Sequence, residues 1–142
     1  ANKREEQKCV SEKSIKGLHI LLAEDNELNM EIAEFVLHNE GADVTKAWNG
    51  KEAVELFRKS ESGDFDAILM DIMMPVMNGY EATKMIRSLD RVDAKKVPII
   101  AMTANAFTED RLKAKEAGMN EHIVKPLDVE LLIKVIHKLV EY

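Results

Sequence analysis

From Gly17 to Val140 the chain alternates short apolar runs with stretches whose apolar residues recur every three or four positions. The first run, Leu18 to Ala23, is almost wholly apolar, as a strand covered on both faces should be. Asn26 can cap a helix through about Asn39, with Met30, Ala33, Val36 and Leu37 at helical spacing, and Gly41 marks its stop. Asp43 to Ala47 reads as a second, more polar strand, expected at an edge. Asn49 caps a helix bearing Ala53, Val54 and Phe57 on one face. Phe65 to Met70 is the third strand and runs straight into Asp71. A loop marked by Pro75 and Asn78-Gly79 leads to a helix carrying Ala82, Met85, Ile86 and Leu89. Val97 to Met102 forms the fourth strand. Thr108 can cap a helix ending near Gly118, whose thin stripe is Leu112, Ala114 and Ala117. His122 to Val124 is a short fifth strand. Val129, Leu132, Ile133, Ile136, Leu139 and Val140 give the last helix a strong apolar face.

Five strand–helix units in succession predict an α/β fold, a doubly wound five-stranded parallel sheet with five helices on its two faces. Right-handed crossovers and a polar second strand favour the order 2-1-3-4-5. Residues 1–16 are polar and read as a linker or N-terminal extension, leaving 17–142 as one domain. The chain begins with Ala rather than Met, so it is expected to be a piece of something longer.

Charge then narrows the partners. Twenty basic against 26 acidic side chains give a net charge of −6, which disfavours binding to nucleic-acid backbones. A single cysteine, Cys9, permits no internal disulfide and suits a cytoplasmic setting. No apolar run is long enough to span a membrane, although an anchor elsewhere in a parent protein stays open. The isolated domain is expected to be monomeric.

In open parallel sheets, ligands bind beyond the carboxyl ends of the strands. Those ends here carry Glu24 and Asp25, then Asp71, Thr103 and Lys125. Three carboxylates repel one another unless a cation joins them, and an oxygen-only set suits Mg²⁺ (or Mn²⁺) rather than zinc. A carboxylate beside such an ion can act as a nucleophile toward phosphorus, with the lysine and the threonine hydroxyl contacting the phosphoryl oxygens.

The motifs Leu22-Ala23-Glu24-Asp25-Asn26, Met70-Asp71-Ile72-Met73-Met74-Pro75-Val76-Met77-Asn78-Gly79, Ala101-Met102-Thr103-Ala104-Asn105-Ala106 and Val124-Lys125-Pro126 resemble receiver domains of two-component response regulators, which have a flavodoxin-like fold. The resemblance implies that Asp71 accepts a phosphoryl group from a histidine kinase or a histidine phosphotransfer domain. It implies that Asp25, Asp71 and the main-chain carbonyl of Met73 hold Mg²⁺, with Glu24 acting through water. Thr103, Lys125 and the main chain of Ala104 would contact the phosphoryl group. His122 stands where the family often has Tyr or Phe as the rotating partner of the threonine, so Thr103 and His122 form the expected switch pair. Met73 and Asn105 would flank the approach of a hydrolytic water, and neither supplies a carboxylate to activate it. The opening, the Asp71 segment and the fourth-strand motif look most like receivers of hybrid sensor histidine kinases.

A stand-alone response regulator is the alternative reading. A Mg²⁺-dependent aspartyl-phosphate phosphatase is more distant, because Met73 occupies the place of its general acid. A receiver-like module without chemistry would lack Asp71, the acidic pair or Lys125. An FMN-binding fold would want a Ser/Thr/Gly-rich loop where Glu24-Asp25-Asn26-Glu27 stand. The helix from Thr108, with the thinnest stripe, is expected to be the least firmly anchored.

Overall fold

A computed structural model describes residues 15–104, 108–125 and 128–140. The strands are β1 (His19–Ala23), β2 (Asp43–Ala47), β3 (Ala67–Asp71), β4 (Ile99–Thr103) and β5 (Glu121–Val124). They form one parallel sheet in the order β2-β1-β3-β4-β5. The expected order is thus observed, with the polar β2 at one edge. The helices are α1 (Glu27–Asn39), α2 (Gly50–Lys59), α3 (Gly79–Arg87), α4 (Val92–Lys96), α5 (Thr108–Ala117) and α6 (Val129–Leu139).

Strand alternation divides the core in two. Ile20, Leu22, Ala67, Leu69, Ile100, Met102 and Ile123 face α1 and α6, meeting Met30, Leu37, Leu132 and Ile136. Leu21, Ala23, Ile68, Met70, Ile99 and Ala101 face the other way, packing on Val54 and Phe57 of α2, Ile86 of α3, Ala94 of α4 and Ala114 of α5. Each fully buried Leu or Ile among them contributes roughly 1.5–3 kcal/mol. Asn or Asp opens the helices that leave the carboxyl edge. Asn26, Asn49, Asn78 and Asp128 each accept a backbone N–H three residues on, and Asn78 forms a reciprocal capping box with Glu81.

Four expectations need correction. The described residues hold six helices rather than five, because α4 adds one turn before β4. Ile15 belongs with the domain rather than the polar lead-in: it is fully buried in the α1–α6 core. Met85 and Leu112, read as core-facing, are 45% and 55% exposed. In α3 the buried face runs instead through Gly79, Ala82, Thr83 and Ile86, where small side chains let the helix lie close to the sheet. In α5 only Ala114 and Ala117 are buried among the residues whose side chains are described. The side chain of Thr108, residues 1–14, Asn105 and Pro126 lie outside the described residues.

Candidate functional site

The carboxyl ends of β1, β3, β4 and β5 converge. Glu24 follows β1, and its N–H donates to the Ala47 carbonyl (3.0 Å) at the end of β2. It is almost wholly buried, so its charge requires partners on the spot. Its Oε1 accepts from the Asn26 N–H at 3.2 Å and faces Asn29 Nδ2 at 3.5 Å. Its Oε2 lies 2.7 Å from Lys125 Nζ. Asp71 is the last residue of β3 and is buried as well. Its Oδ1 accepts the Met73 N–H at 3.3 Å, and its Oδ2 stands 3.1 Å from Lys125 Nζ. The Lys125 N–H donates to the Thr103 carbonyl (2.8 Å), which fixes the lysine backbone against the end of β4. Thr103, the last residue of β4, is buried, and Ala104 beside it is exposed.

Glu24, Asp25 and Asp71 bring carboxylate oxygens within 4.8 Å of one another. Asp25 is exposed, the other two are buried. Three carboxylates against one ammonium leave an excess of negative charge. Burial, followed by repulsion from Glu24, pushes Asp71 from its ordinary 3.8 up to about 7, despite the Lys125 ammonium that pulls it down. Burial alone would lower the Lys125 ammonium, but its hydrogen bonds to Glu24 and Asp71 outweigh that and hold it above the usual lysine range. Lys125 therefore does not neutralise the cluster, and the donor set (carboxylate oxygens, one of them at the surface) fits a hard divalent cation.

The loop beyond Asp71 is held by close backbone approaches. The Gly79 N–H donates to the Ile72 carbonyl (2.9 Å), and a Cβ on Gly79 would stand 2.3 Å from the Asp71 carbonyl oxygen. The Gly50 N–H donates to the Met77 carbonyl (3.0 Å), where a Cβ would again come within 2.3 Å. Between them Val76 adopts φ 68°, with the Met77 N–H donating to the Pro75 carbonyl at 2.6 Å in a tight γ-turn. Met73 and Val76 are the most exposed apolar side chains of this loop. Neither glycine contact was legible in the sequence beyond the turn signal of Asn78-Gly79, because both depend on which helix the loop meets.

Asp71, Glu24, Asp25, Lys125 and Thr103 are thus brought to one edge. His122 is set back from it. It pairs in register with Ala101, as Val124 does with Thr103, so His122 and Thr103 share a sheet face two residues apart along the strands. Its Nε2 accepts a hydrogen bond from Arg111 Nε of α5 at 2.9 Å, a partner the sequence did not single out.

Comparison with known proteins sets the chain among receiver domains. The family model for the response regulator receiver domain matches residues 20–137. The chain is 46% identical over 122 residues to hybrid signal transduction histidine kinase M of Dictyostelium discoideum, covering 85% of this chain and 5% of that protein. It is 38% identical over 120 residues to hybrid signal transduction histidine kinase I of the same organism, covering 83% of this chain and 7% of that protein. The chain therefore spans a small part of these curated relatives. Among solved structures, the receiver domain of the sensor histidine kinase PA1611 from Pseudomonas aeruginosa, which has a magnesium ion coordinated in its active-site cleft, superposes with a TM-score of 0.78. Its sequence is 39% identical, and the match covers 87% of this chain and 97% of that one. A chain in the co-crystal structure of the Saccharomyces cerevisiae histidine phosphotransfer protein Ypd1 with the receiver domain of Ssk1 gives a TM-score of 0.77 at 29% identity, covering 89% of this chain and 90% of that one. The chain belongs to the response regulator receiver domain family, and its function is that of a phosphoacceptor receiver. Among the described residues, no helix is long and apolar enough to cross a membrane.

Proposed function

We propose that Asp71 is the phosphoacceptor and that the chain serves as the receiver of a hybrid sensor histidine kinase in a two-component phosphorelay. The observation that carries this is the buried Asp71 carboxylate at the end of β3, held 3.1 Å from Lys125 Nζ with Glu24 and Asp25 beside it. An Asp71 oxygen forms the new P–O bond as the P–N bond of a phosphohistidine breaks, the electron pair leaving on the imidazole nitrogen. Lys125 and Thr103 contact the phosphoryl oxygens, with the main chain of Ala104. Asp25, Asp71 and the Met73 carbonyl would hold Mg²⁺, with Glu24 behind them through water, and the ion when bound would offset the charge of the phosphoryl oxygens. Thr103 and His122 form the switch pair. Leu28, Ile32 and Phe35 stand exposed on α1 at helical spacing. Their place just beyond the acidic pair supports docking there of the histidine kinase or histidine phosphotransfer domain that carries the phosphohistidine.

Intact-mass measurement after incubation with acetyl phosphate and Mg²⁺ tests the acceptor. One phosphoryl adduct is expected, absent from Asp71→Asn and absent when EDTA is present. An adduct that survives in Asp71→Asn overturns the assignment of Asp71.

A further inference from the structure

We infer that the hydrogen bond between Arg111 and His122 is a proton-operated latch fastening α5 to β5. The Arg111 Nε–H donates to His122 Nε2 at 2.9 Å, which requires that nitrogen to be an acceptor and the ring to be neutral, with its proton on Nδ1. Beyond this bond, the anchors of α5 among the described residues are few, and Arg87 of α3 bonds the Gly118 carbonyl just past its end. Ala114 and Ala117 are its buried side chains among those described, and Leu112 is more than half exposed. A side chain that fastens a weakly packed helix through one protonation-dependent contact can set where that helix lies.

The surroundings decide what a second proton on the ring would do. From α5, Arg111 faces the ring and Lys115 lines the same cleft of about 420 Å³, so the described side chains of this helix bring positive charge to the cleft. From β5, the carboxylate of Glu121 stands 3.9 Å from His122 Nδ1. That carboxylate is shared with Lys138 of α6, at 3.4 Å. From α3, Arg87 reaches the neighbouring turn, where its guanidinium bonds the Gly118 carbonyl and the Asn120 side chain. Protonation removes the acceptor that Arg111 needs, so the contact is lost and two cations are left facing each other. The cleft gives water, and hence protons, access to the ring. By linkage, any event that moves α5 away from β5 favours proton uptake at His122.

This latch stands independently of which residue accepts phosphate. Hydrogen-exchange mass spectrometry on the full chain tests it, comparing protection factors of α5 with those of α1 and α2 at pH about 7.5 and about 5.5. In the wild type, α5 protection is expected to fall about tenfold on acidification while α1 and α2 change little. In His122→Gln, whose amide oxygen still accepts from Arg111 but does not titrate, α5 is expected to stay protected at both pH values. In Arg111→Met it is expected to be poorly protected at both. Asp71 is present in every variant, so acid effects that arise there persist in His122→Gln and are separated from the latch. An acid-induced loss of α5 protection that is the same in His122→Gln and wild type, or no selective loss in wild type, overturns the proposal. Should His122→Gln fold poorly, Arg111→Met alone decides: an undiminished pH response of α5 in that variant also overturns it.

Discussion

Lys125 Nζ lies nearer to Glu24, at 2.7 Å, than to Asp71, at 3.1 Å. The ammonium is therefore shared between the acceptor and a second buried acid, whose other oxygen is engaged by the Asn26 N–H. Glu24 both positions the lysine and repels Asp71. Two substitutions pull these effects apart. Lys125→Met removes the attraction and should raise the Asp71 midpoint above about 7, whereas Glu24→Gln removes the repulsion and should lower it. Carboxyl NMR titration of the two variants reads this directly. Labelling by acetyl phosphate should fall about 10²-fold or more in Lys125→Met, as for loss of a charged group facing the developing negative charge. Opposite movements of the two midpoints are the expected signature, and movement in the same direction contradicts the shared-lysine account.

Backbone packing behind the acceptor gives a second expectation. Gly79 has no room for a Cβ, because the Asp71 carbonyl oxygen stands 2.3 Å from where it would be, and rigid main chain cannot yield as a flexible side chain could. Gly63 has φ +88° but open space around it. Gly63→Ala should therefore cost about 1–2 kcal/mol, the strain of a left-handed backbone alone. Gly79→Ala should cost more than this, about 3 kcal/mol or above, and should also slow labelling, since relief of the clash displaces Asp71 itself. Urea unfolding of both variants beside acetyl phosphate labelling provides the comparison. Equal stabilities would show that the loop after β3 relaxes more readily than its close contacts imply.

Much of this site was legible because its residues sit at strand ends, where an apolar run stops and a polar residue begins. Glu24, Asp25, Asp71, Thr103 and Lys125 all announce themselves in that way, and strand order followed from the polar Asp43 and Lys46 of β2. Helical faces were harder. Periodicity scores hydrophobicity, but the face α3 buries is chosen by closeness, and Gly79, Ala82 and Thr83 permit an approach that Met85 would prevent. Ile15 carried no signal, being one apolar residue in a polar stretch, yet the α1–α6 core has a place for it. The helix α4 is a single turn between Arg91 and Val97, too short for any period to register. The pairing of Arg111 with His122 joins residues on two elements whose relative placement no local pattern encodes.

The raised Asp71 midpoint makes stability and metal binding depend on pH in opposite senses. In the folded domain without a divalent cation, Asp71 holds its proton up to about pH 7, whereas in the unfolded chain it loses it near 3.8. The folded state thus binds the extra proton between these values, and the stability it gains is fully present below the lower one. That contribution is lost as pH rises from the lower value through about 7. A divalent cation competes with the proton for the same oxygens, so its binding should release a proton and tighten as pH rises through that range. In EDTA, the thermal midpoint is therefore expected to fall between pH about 6 and about 8, and Mg²⁺ should raise it more at the upper pH than at the lower. Asp71→Asn should flatten both responses, since its amide neither titrates nor carries the charge that draws the cation. Differential scanning fluorimetry across this range, with Mg²⁺ or EDTA, checks the sign. A midpoint that rises with pH in EDTA, or a Mg²⁺ increment that shrinks toward higher pH, would mean that Asp71 is already ionised at the lower pH and that Lys125 outweighs both its burial and Glu24.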